Sequence, residues 1–345
     1  MNKEILIGTV RRLFADSKGL LAMDESIPTC NKRFAKIRIP QNAETRRDWR
    51  EVLATTPGLS ESIGGAILCD ETIRQNKSDG TPIIKTLIDE GIIPGIKVDK
   101  SAKLMAAHPG EKITEGLDGL RDRLKEYSEM GARFAKWRAV IAIGDGIPSR
   151  GCIEANANIL SLYASLCQEA GLVPIVEPEV LMEGTHYLQV CFTVTKEVLR
   201  SVFAHLYLQG VMLEGVILKP NMVISGLSYS KQASIDEVAD STVRCLLQSV
   251  PAALGAIAFL SGGQTGELAS AHLNAMHVRY QSKLPWPLTF SFARAIQQPG
   301  MEIWDGKDEN IKAAQQALFH RAKCDRSARQ GLYSAAIEDS VFLST

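Results

Sequence analysis

The sequence predicts a single-domain α/β protein built as a (β/α)₈ barrel. Three observations lead to this prediction. Eight short apolar runs recur along the 345 residues, amphipathic segments separate them, and neither a linker nor a sequence repeat divides the chain. A strand followed by a helix, eight times in one undivided chain, is the pattern of this barrel.

The eight apolar runs are predicted strands, each buried on both faces. They are continuously apolar and rich in β-branched side chains, as expected for a parallel sheet covered by helices. The runs cover residues 19–23, 65–69, 94–98, 134–140, 172–176, 215–218, 256–260 and 288–292. The alternative fold is an open doubly wound sheet. That fold usually has a glycine-rich phosphate loop after its first strand, where this chain has Met23-Asp24-Glu25-Ser26.

Helices are predicted between the strands. Residues 117–130 place leucines and a tyrosine at helical spacing on one face, and residues 159–166 and 198–206 show a similar pattern. Ser234 and Glu237 stand three residues apart before an apolar segment, which predicts a capping box at a helix start.

The composition excludes several classes of protein. The 39 Lys and Arg residues balance 39 Asp and Glu residues, so a surface built to bind the nucleic-acid backbone is not expected. The seven cysteines form no Cys-x-x-Cys pair, which favours reduced thiols and a cytoplasmic location. The first residues lack a signal-peptide pattern, and no apolar run reaches the ~18 residues that a membrane helix needs.

Polar residues stand at the predicted ends of the strands: Asp24, Asp70, Lys97, Lys136, Glu177, Lys219, Ser261 and Arg294. From Lys97 to Ser261 the successive members are 39 to 42 residues apart, which is one strand–helix unit. The strand ends of this barrel meet at one rim, so we expect these side chains to converge there. A charge in an apolar strand is costly unless it is paired, which makes the set informative.

Lys219, after the run at 215–218, is a candidate nucleophile. Burial disfavours the charged amine, and a second cation nearby, Lys136, would do the same. A neutral amine can attack a carbonyl carbon. A structural lysine paired with Glu177 or Glu179 fits these residues equally well.

Glu177 and Glu179 are two residues apart, so their side chains face the same side if the strand continues. Two neighbouring carboxylates leave one of them able to hold a proton near neutral pH, which carbinolamine dehydration requires. The alternative is one acid paired with a lysine and the other solvated. Asp24 is a candidate second acid/base, a charge partner for Lys136, or a helix N-cap.

Ser261-Gly262-Gly263 is a candidate phosphate site, because the glycines free backbone N–H groups at the start of a helix. Arg294, one strand later, could add a bidentate contact. Barrel phosphate sites commonly use the loops after strands seven and eight, although a Ser-Gly-Gly sequence also fits an ordinary turn. Lys97 and Arg138 could hold a second anion. These groups together suggest covalent carbonyl chemistry on a bisphosphorylated substrate.

No metal site is predicted. The histidines show no His-x-x-x-His spacing. His320 and Cys324 could offer two ligands, but no second pair completes a site.

Seven blocks match a known family in order, with similarity from about residue 10 to about residue 335. They are residues 21–26, 95–100, 134–138, 174–179, 218–222, 259–264 and 288–291, and include Leu218-Lys219-Pro220-Asn221-Met222. Through these blocks the chain resembles the class I (Schiff-base-forming) fructose-1,6-bisphosphate aldolases.

The resemblance implies a role for each matching residue. Lys219 would form an iminium with the substrate C2 ketone, and Glu177, with Glu179 beside it, would shuttle protons. Lys136 would keep Lys219 deprotonated, and Asp24 would act near the C4 hydroxyl. The implied C1-phosphate residues are Ser261, Gly262, Gly263 and Arg294; those on the C6-phosphate side are Lys97, Arg138, Ser26, Arg33 and Thr29. Because the iminium accepts the electron pair, no metal or cofactor is required.

Three positions depart from the family pattern. No tyrosine follows Tyr333, whereas animal-type members end in a tyrosine implicated in enamine protonation. We therefore expect slower protonation or another proton donor, which a solvent-deuterium exchange assay tests. Thr29 replaces a frequent serine, and Phe292 replaces a frequent tyrosine, which removes one hydroxyl contact.

The resemblance also implies an organisation. Residues 1–335 would form the barrel and residues 336–345 a C-terminal tail, in a cytoplasmic homotetramer of glycolysis or gluconeogenesis that binds neither nucleic acid nor membrane. Two alternatives stay open. One is a preference for sedoheptulose 1,7-bisphosphate, and the other is a catalytically idle scaffold. A scaffold is expected to lose the lysine or its acid, and this chain keeps both.

Overall fold

The computed structural model describes residues 3–280 and 283–339. In these ranges the strands are β1 Gly19–Ala22, β2 Ile63–Leu68, β3 Ile93–Lys97, β4 Ala102–Leu104, β5 Lys112–Thr114, β6 Phe134–Ile141, β7 Val173–Val180, β8 Ile217–Leu218, β9 Ala256–Phe259 and β10 Leu288–Phe292. Strands β4 and β5 form a separate antiparallel hairpin. The other eight are parallel and close into a barrel in the order β1-β10-β9-β8-β7-β6-β3-β2, which confirms the predicted fold.

Helices surround the barrel and cover its outer face. They are α1 Lys3–Leu13, α2 Ile27–Lys36, α3 Ala43–Ala54, α4 Asp70–Ile73, α5 Ile83–Asp89, α6 Leu120–Met130, α7 Arg150–Glu169, α8 Leu188–Leu208, α9 Ile235–Ser249, α10 Gly266–Tyr280, α11 Arg294–Trp304, α12 Ile311–Arg329 and α13 Ala335–Glu338. The predicted capping box opens α9, where Ser234 Oγ accepts from Glu237 N at 3.3 Å and the Glu237 carboxylate accepts from Ser234 N at 2.8 Å. Within the described residues, no helix is both long and apolar enough to cross a membrane. All seven cysteines are free and buried.

One predicted strand runs clearly further than expected. Strand β7 continues to Val180, past the predicted end at residue 176, so Glu177 lies inside it. Strand β6 ends at Ile141, close to its predicted end at residue 140, and Lys136 lies inside it and not at its end. Strand β8 is shorter than predicted, because residues 213–215 form a 3₁₀ turn. Strands β6 and β7 thus each place a second charged side chain, Arg138 and Glu179, on the inner face of the barrel.

The interior of the barrel is sealed at the amino-terminal end of the strands by α1. Leu6 and Leu13 of α1 belong to one buried apolar cluster with Leu20, Ile67 and Phe134 of the strands. Strand side chains alternate between the interior and the outer face, so this apolar plug lies below the charged residues that follow in each strand.

A buried polar network fixes the carboxyl end of the described chain. Arg321 of α12 contacts Glu338 of α13 in an ion pair, and its Nη2 donates to Ser270 Oγ at 2.8 Å and to Asp325 Oδ1 at 3.4 Å. Ser270 Oγ donates to Asp325 Oδ1 at 2.5 Å. The predicted tail at 336–345 therefore begins inside α13, and its residues 340–345 lie outside the described ranges. The boundary at residue 335 stays a prediction.

Asp325 provides a pH-dependent test of this network. Burial raises the pKa of Asp325 to about 7, against the opposing pull of Arg321 and of the Ser270 hydrogen bond. Because this folded-state pKa lies above the ordinary value near ~3.9, the stabilising effect of the protonated acid is complete below about pH 4 and is lost as the pH rises through 7. We expect Asp325→Asn to gain about 1 kcal/mol relative to wild type for each pH unit between 5 and 7.

Urea unfolding at several pH values measures this difference in the free energy of unfolding. The exposed Asp122→Asn is the matched control and should run parallel to wild type. Parallel curves for Asp325→Asn as well would contradict the assignment.

Candidate active site

The longer strands β6 and β7 bring four charged side chains into the barrel. Lys136 and Arg138 alternate along β6, and Glu177 and Glu179 alternate along β7, so all four face the interior. The two strands pair in parallel, with Arg138 opposite Glu177. Water is largely excluded here, so these charges are stable only if they are paired.

Four residues form a continuous chain of opposite charges. Lys136 Nζ lies 2.7 Å from Asp24 Oδ2 and 3.2 Å from Glu177 Oε2. The other oxygen of Glu177, Oε1, lies 3.3 Å from Lys219 Nζ. The side chains of Lys136, Glu177 and Lys219 are at most 5% exposed, so these three charges lie below the open rim of the barrel.

This series of ion pairs keeps Asp24 ionised and Lys136 positively charged. Burial raises the pKa of Asp24, but Lys136 and then Lys219 outweigh it, so the net pKa lies well below its usual range. Burial lowers the pKa of Lys136, but Asp24 and Glu177 outweigh it, so the net pKa is raised. At neutral pH Asp24 is therefore ionised, and Lys136 is a fixed positive charge between two acids.

Asn221 fixes the backbone that follows Lys219. Its side-chain Oδ1 accepts from the N–H of Val180 at 3.0 Å, and its Nδ2 donates to Thr195 Oγ1 at 3.2 Å and to Met222 O at 3.1 Å. The Lys219 N–H itself donates to Val176 O at 2.8 Å. These bonds keep Lys219 in register with β7, opposite Glu177, although β8 has only two residues.

The two glutamates have different partners. Glu177 contacts Lys136 and Lys219, whereas Glu179 forms an ion pair with Arg138. The prediction that both face the same side is confirmed, and neither of the two is a solvated acid. Only Glu177 is in contact with the amine of Lys219.

Lys97 and Arg138, the predicted second anion site, are neighbours joined by Asp99. Lys97 Nζ lies 2.7 Å from Asp99 Oδ1, and the N–H of Arg138 donates to Asp99 Oδ2 at 3.3 Å. The Arg138 side chain is 43% exposed, so it can reach a ligand at the rim. Sequence reasoning missed Asp99, and its position two residues after Lys97 was the available signal.

The Ser-Gly-Gly segment forms the turn that was predicted for a phosphate. Gly262 and Gly263 both have positive φ angles, 55° and 81°, which a side chain would strain. A Cβ at Gly263 would lie 3.4 Å from Arg294 Nη2, so the arginine reaches directly over the turn. The guanidinium of Arg294 thus lies against the glycine turn, next to the start of α10.

The two predicted anion sites lie across the barrel from each other. Strand β9 precedes the Ser-Gly-Gly turn and β10 precedes Arg294, and in the closed order they stand opposite β3 and β6, which supply Lys97 and Arg138. Glu177 of β7 and Lys219 after β8 lie between these strand pairs on one side of the barrel. Lys136 belongs to β6 itself, and Asp24 follows β1 on the other side. A substrate with a phosphate at each end would therefore cross the mouth over Lys219.

The residues after β1 border the same rim. Ser26 is the N-cap of α2, and its Oγ lies 3.0 Å from Thr29 Oγ1. Arg33, on the same helix, donates from Nη1 to Glu25 Oε1 at 2.6 Å. Since Ser26 occupies the N-cap position of α2, the N-cap alternative for Asp24 is wrong, and Asp24 is instead the charge partner of Lys136.

Asp70 does not join the site. It is the first residue of α4, its side chain is 59% exposed, and it pairs with Arg74 one turn later at 2.9 Å. The helix begins directly after β2, which turns the carboxylate outward. The expectation that every strand-end residue converges is wrong at this position.

Ser291 is an interior residue that sequence reasoning missed. Its neighbours Phe290 and Phe292 pack outward, and the register places Ser291 in one layer with Lys136 and Lys219 from alternate strands. Its Oγ is buried and has no hydrogen-bond partner among the described residues. The signal was the polar residue inside an otherwise apolar run. Phe292 is fully buried and packs against Phe290, so this site holds no tyrosine hydroxyl there.

Glu338 lies beside His320 and Cys324 as a third possible metal ligand, but its carboxylate already has other partners. His320 Nε2 lies 3.3 Å from Cys324 Sγ and 3.9 Å from Glu338 Oε1. The Glu338 carboxylate already contacts Arg321 and accepts from Tyr333 OH at 2.6 Å. A guanidinium at the same oxygen opposes a cation. The chain end at 341–345, where no tyrosine stands, lies outside the described residues.

Comparison with known proteins identifies the relatives of the chain. A model of the family described as fructose-bisphosphate aldolase class-I matches residues 5–343. A "probable fructose-bisphosphate aldolase class 1" of Xanthomonas campestris pv. campestris is 57% identical over 94% of this chain and 96% of its own. The Arabidopsis thaliana protein named "fructose-bisphosphate aldolase 6, cytosolic" is 49% identical over 95% of this chain and 91% of its own.

A solved structure agrees. Fructose-bisphosphate aldolase from Plasmodium falciparum, in complex with TRAP and a small-molecule inhibitor, superposes with a TM-score of 0.94 at 44% identity. The match covers 96% of this chain and 95% of that one.

Proposed function

The chain belongs to the class I fructose-bisphosphate aldolase family, and we propose from that premise that Lys219, Glu177, Lys136 and Asp24 carry out its reaction. The reaction is the reversible cleavage of fructose 1,6-bisphosphate to dihydroxyacetone phosphate and glyceraldehyde 3-phosphate through a lysine Schiff base. The observation that supports the assignment is one carboxylate, Glu177, shared between the amines of Lys136 and Lys219 at 3.2 and 3.3 Å.

Lys219 begins the reaction as its nucleophile. Its Nζ attacks the C2 ketone and forms a carbinolamine, which loses water to give an iminium. Lys136 lies between Asp24 and Glu177 and is the amine that stays charged in this site.

Glu177 moves the protons of this step. Its Oε1 lies 3.3 Å from Lys219 Nζ, close enough to take a proton from the amine and then give it to the departing hydroxyl as the carbinolamine dehydrates. The other oxygen, Oε2, is ion-paired with Lys136 at 3.2 Å, and this contact holds the carboxyl group in place during the transfer.

Asp24 acts on the other half of the substrate. As an ionised carboxylate it takes the proton of the C4 hydroxyl while the C3–C4 bond breaks. The electron pair of that bond enters the iminium and gives an enamine, and glyceraldehyde 3-phosphate leaves. Protonation of the enamine at C3 and hydrolysis of the iminium then release dihydroxyacetone phosphate and restore Lys219.

The two anion-binding groups orient the substrate. The C1 phosphate is assigned to Ser261, Gly262, Gly263 and Arg294, and the C6 phosphate to Lys97, Arg138, Ser26, Thr29 and Arg33. Each arginine supplies planar paired donors, and the glycines supply N–H groups, so the dianions are bound without a metal ion. Ser291, in the layer of Lys219, is assigned a contact with the substrate near C2.

Glu177 and Glu179 offer a matched pair of variants. We expect Glu177→Gln to lower kcat by about 10²–10⁴-fold, since it removes the proton donor for dehydration. Glu179→Gln should act mainly on KM, because Glu179 contacts Arg138 and not Lys219. A coupled assay of glyceraldehyde 3-phosphate release measures both. Equal kcat values for the two variants would contradict this division of roles between the glutamates.

We also propose that the chain works as a homotetramer in the cytoplasm. The seven free, buried cysteines suit a reducing compartment, and the Arabidopsis relative is named as cytosolic. Size-exclusion chromatography with light scattering tests the assembly, and the expected mass is about four times that of the chain. A monomer at micromolar concentration would rule out the tetramer. Competition between fructose and sedoheptulose bisphosphates measures the substrate preference.

A further inference from the structure

Glu25 carries a buried carboxylate that two arginines share. Its Oε1 accepts from Arg33 Nη1 at 2.6 Å, and its Oε2 accepts from Arg50 Nη1 at 2.7 Å. The Glu25 side chain is 7% exposed and that of Arg50 2%, whereas Arg33 is 12% exposed and lies nearest to the rim. None of the proposed catalytic steps uses Glu25 or Arg50.

The charges in this cluster do not cancel. Arg50 makes two contacts to Glu25, since its Nη2 also donates to the Glu25 carbonyl at 3.4 Å. Because Arg50 is fully buried and ion-paired with Glu25, the two neutralise each other. The charge of Arg33 then has no counter-charge within the cluster. Glu25, Arg33 and Arg50 together carry one net positive charge, which a bound anion would neutralise.

Glu25 holds only one nitrogen of Arg33. Within the described residues, both hydrogen bonds of the Arg33 side chain come from Nη1, to Glu25 Oε1 at 2.6 Å and to Gln297 Oε1 at 3.4 Å. The Nε–Nη2 edge of the guanidinium is open. This is the edge that could bind two phosphate oxygens at once.

Gln297 ties this cluster to the helix that begins with Arg294. Its Nε2 donates to Glu25 Oε1 at 2.9 Å and to the Ala22 carbonyl of β1, and its Oε1 accepts from Trp49 Nε1 at 3.2 Å. Gln297 is fully buried. Glu25 is therefore held from three directions and has little freedom to move when Arg33 binds a ligand.

We propose that Glu25 is a positioning residue for the C6 phosphate: it holds Nη1 of Arg33 so that the open edge of the guanidinium faces the substrate. The role rests on the proposed function, because it requires a substrate with a phosphate at that end. It predicts an effect confined to the C6 phosphate. A second possibility, that Glu25 competes with phosphate for Arg33, predicts the opposite sign.

The test compares two substrates, fructose 1,6-bisphosphate and fructose 1-phosphate, which lacks the C6 phosphate. Glu25→Gln alone leaves Arg50 buried without a counter-charge, and it is expected to lose stability. The double variant Glu25→Gln/Arg50→Met removes both charges together. Arg50→Met is the matched control, because it keeps the carboxylate on Arg33. Unfolding of all variants is followed in parallel.

We expect the double variant to lose about tenfold in kcat/KM for fructose 1,6-bisphosphate relative to Arg50→Met, with KM rising and kcat unchanged. Its kcat/KM for fructose 1-phosphate should stay within about twofold. Equal losses on both substrates would show a merely structural role, and a gain on the bisphosphate would show competition; either overturns the proposal. Cleavage of fructose 1-phosphate by wild type reports on the proposed function separately, since that substrate does not use the C6 site.

Discussion

Replacing Lys219 with methionine is expected to lower kcat for fructose 1,6-bisphosphate cleavage by about 10⁴-fold or more. Methionine has a similar length and no amine, so the covalent step is lost while the site is still filled. Glu177 keeps Lys136 as a partner at 3.2 Å, so no charge is left unpaired and the fold should persist. A coupled assay under saturating substrate measures the loss.

The matched control is Lys103→Met, which changes an exposed lysine of the β4–β5 hairpin. We expect it to retain wild-type activity and stability. If Lys219→Met kept more than about one hundredth of the wild-type kcat while Lys103→Met was unchanged, Lys219 would not be the nucleophile.

The second large effect is expected at Lys136. Lys136→Met leaves Asp24 and Glu177 buried without their shared cation, which should cost about 3–5 kcal/mol of unfolding free energy. Activity should fall with it, because Asp24 then holds a proton more readily and Lys219 becomes the only amine beside Glu177. The unfolding free energy and kcat are both measured.

A double-mutant cycle measures how much of the stability loss comes from the contact between Lys136 and Asp24. Asp24→Asn removes one of the two acids, so Lys136→Met should destabilise the Asp24→Asn variant less than it destabilises wild type, with a coupling of about 1–3 kcal/mol. Additive losses would mean that the 2.7 Å contact between Lys136 and Asp24 contributes nothing to stability.

The barrel and its charged rim could be predicted because both depend on local sequence. Eight apolar runs separated by helical segments favour a closed parallel sheet, and Lys219 and Asp24 directly follow such runs. The Ser-Gly-Gly turn and Arg294 were predictable for the same reason, since their loops follow neighbouring strands.

The pairing of charges could not be predicted, because it depends on register. Whether Glu177 or Glu179 contacts Lys219 is decided by how β6, β7 and β8 align, and no local pattern encodes that alignment. Lys136 and Glu177 were placed at strand ends because the polar residues within β6 and β7 imitate an end. The prediction for Asp70 was wrong because a helix begins at that residue, directly after β2.

Residues that position other site residues were the hardest to predict from the sequence. Asp99 and Glu25 are acids beside predicted site residues, and in a sequence such acids look like solvated charges. Their burial against Lys97, Arg33 and Arg50 appears only when helices from distant parts of the chain pack together.

The most direct test of the central claim is to trap the intermediate on Lys219. The protein is incubated with dihydroxyacetone phosphate, with and without EDTA, reduced with borohydride, and digested for peptide mass mapping. We expect one adduct, on Lys219, in equal yield with and without EDTA. An adduct on another lysine, or activity that EDTA abolishes with no adduct at all, would contradict the assignment of Lys219 as the nucleophile.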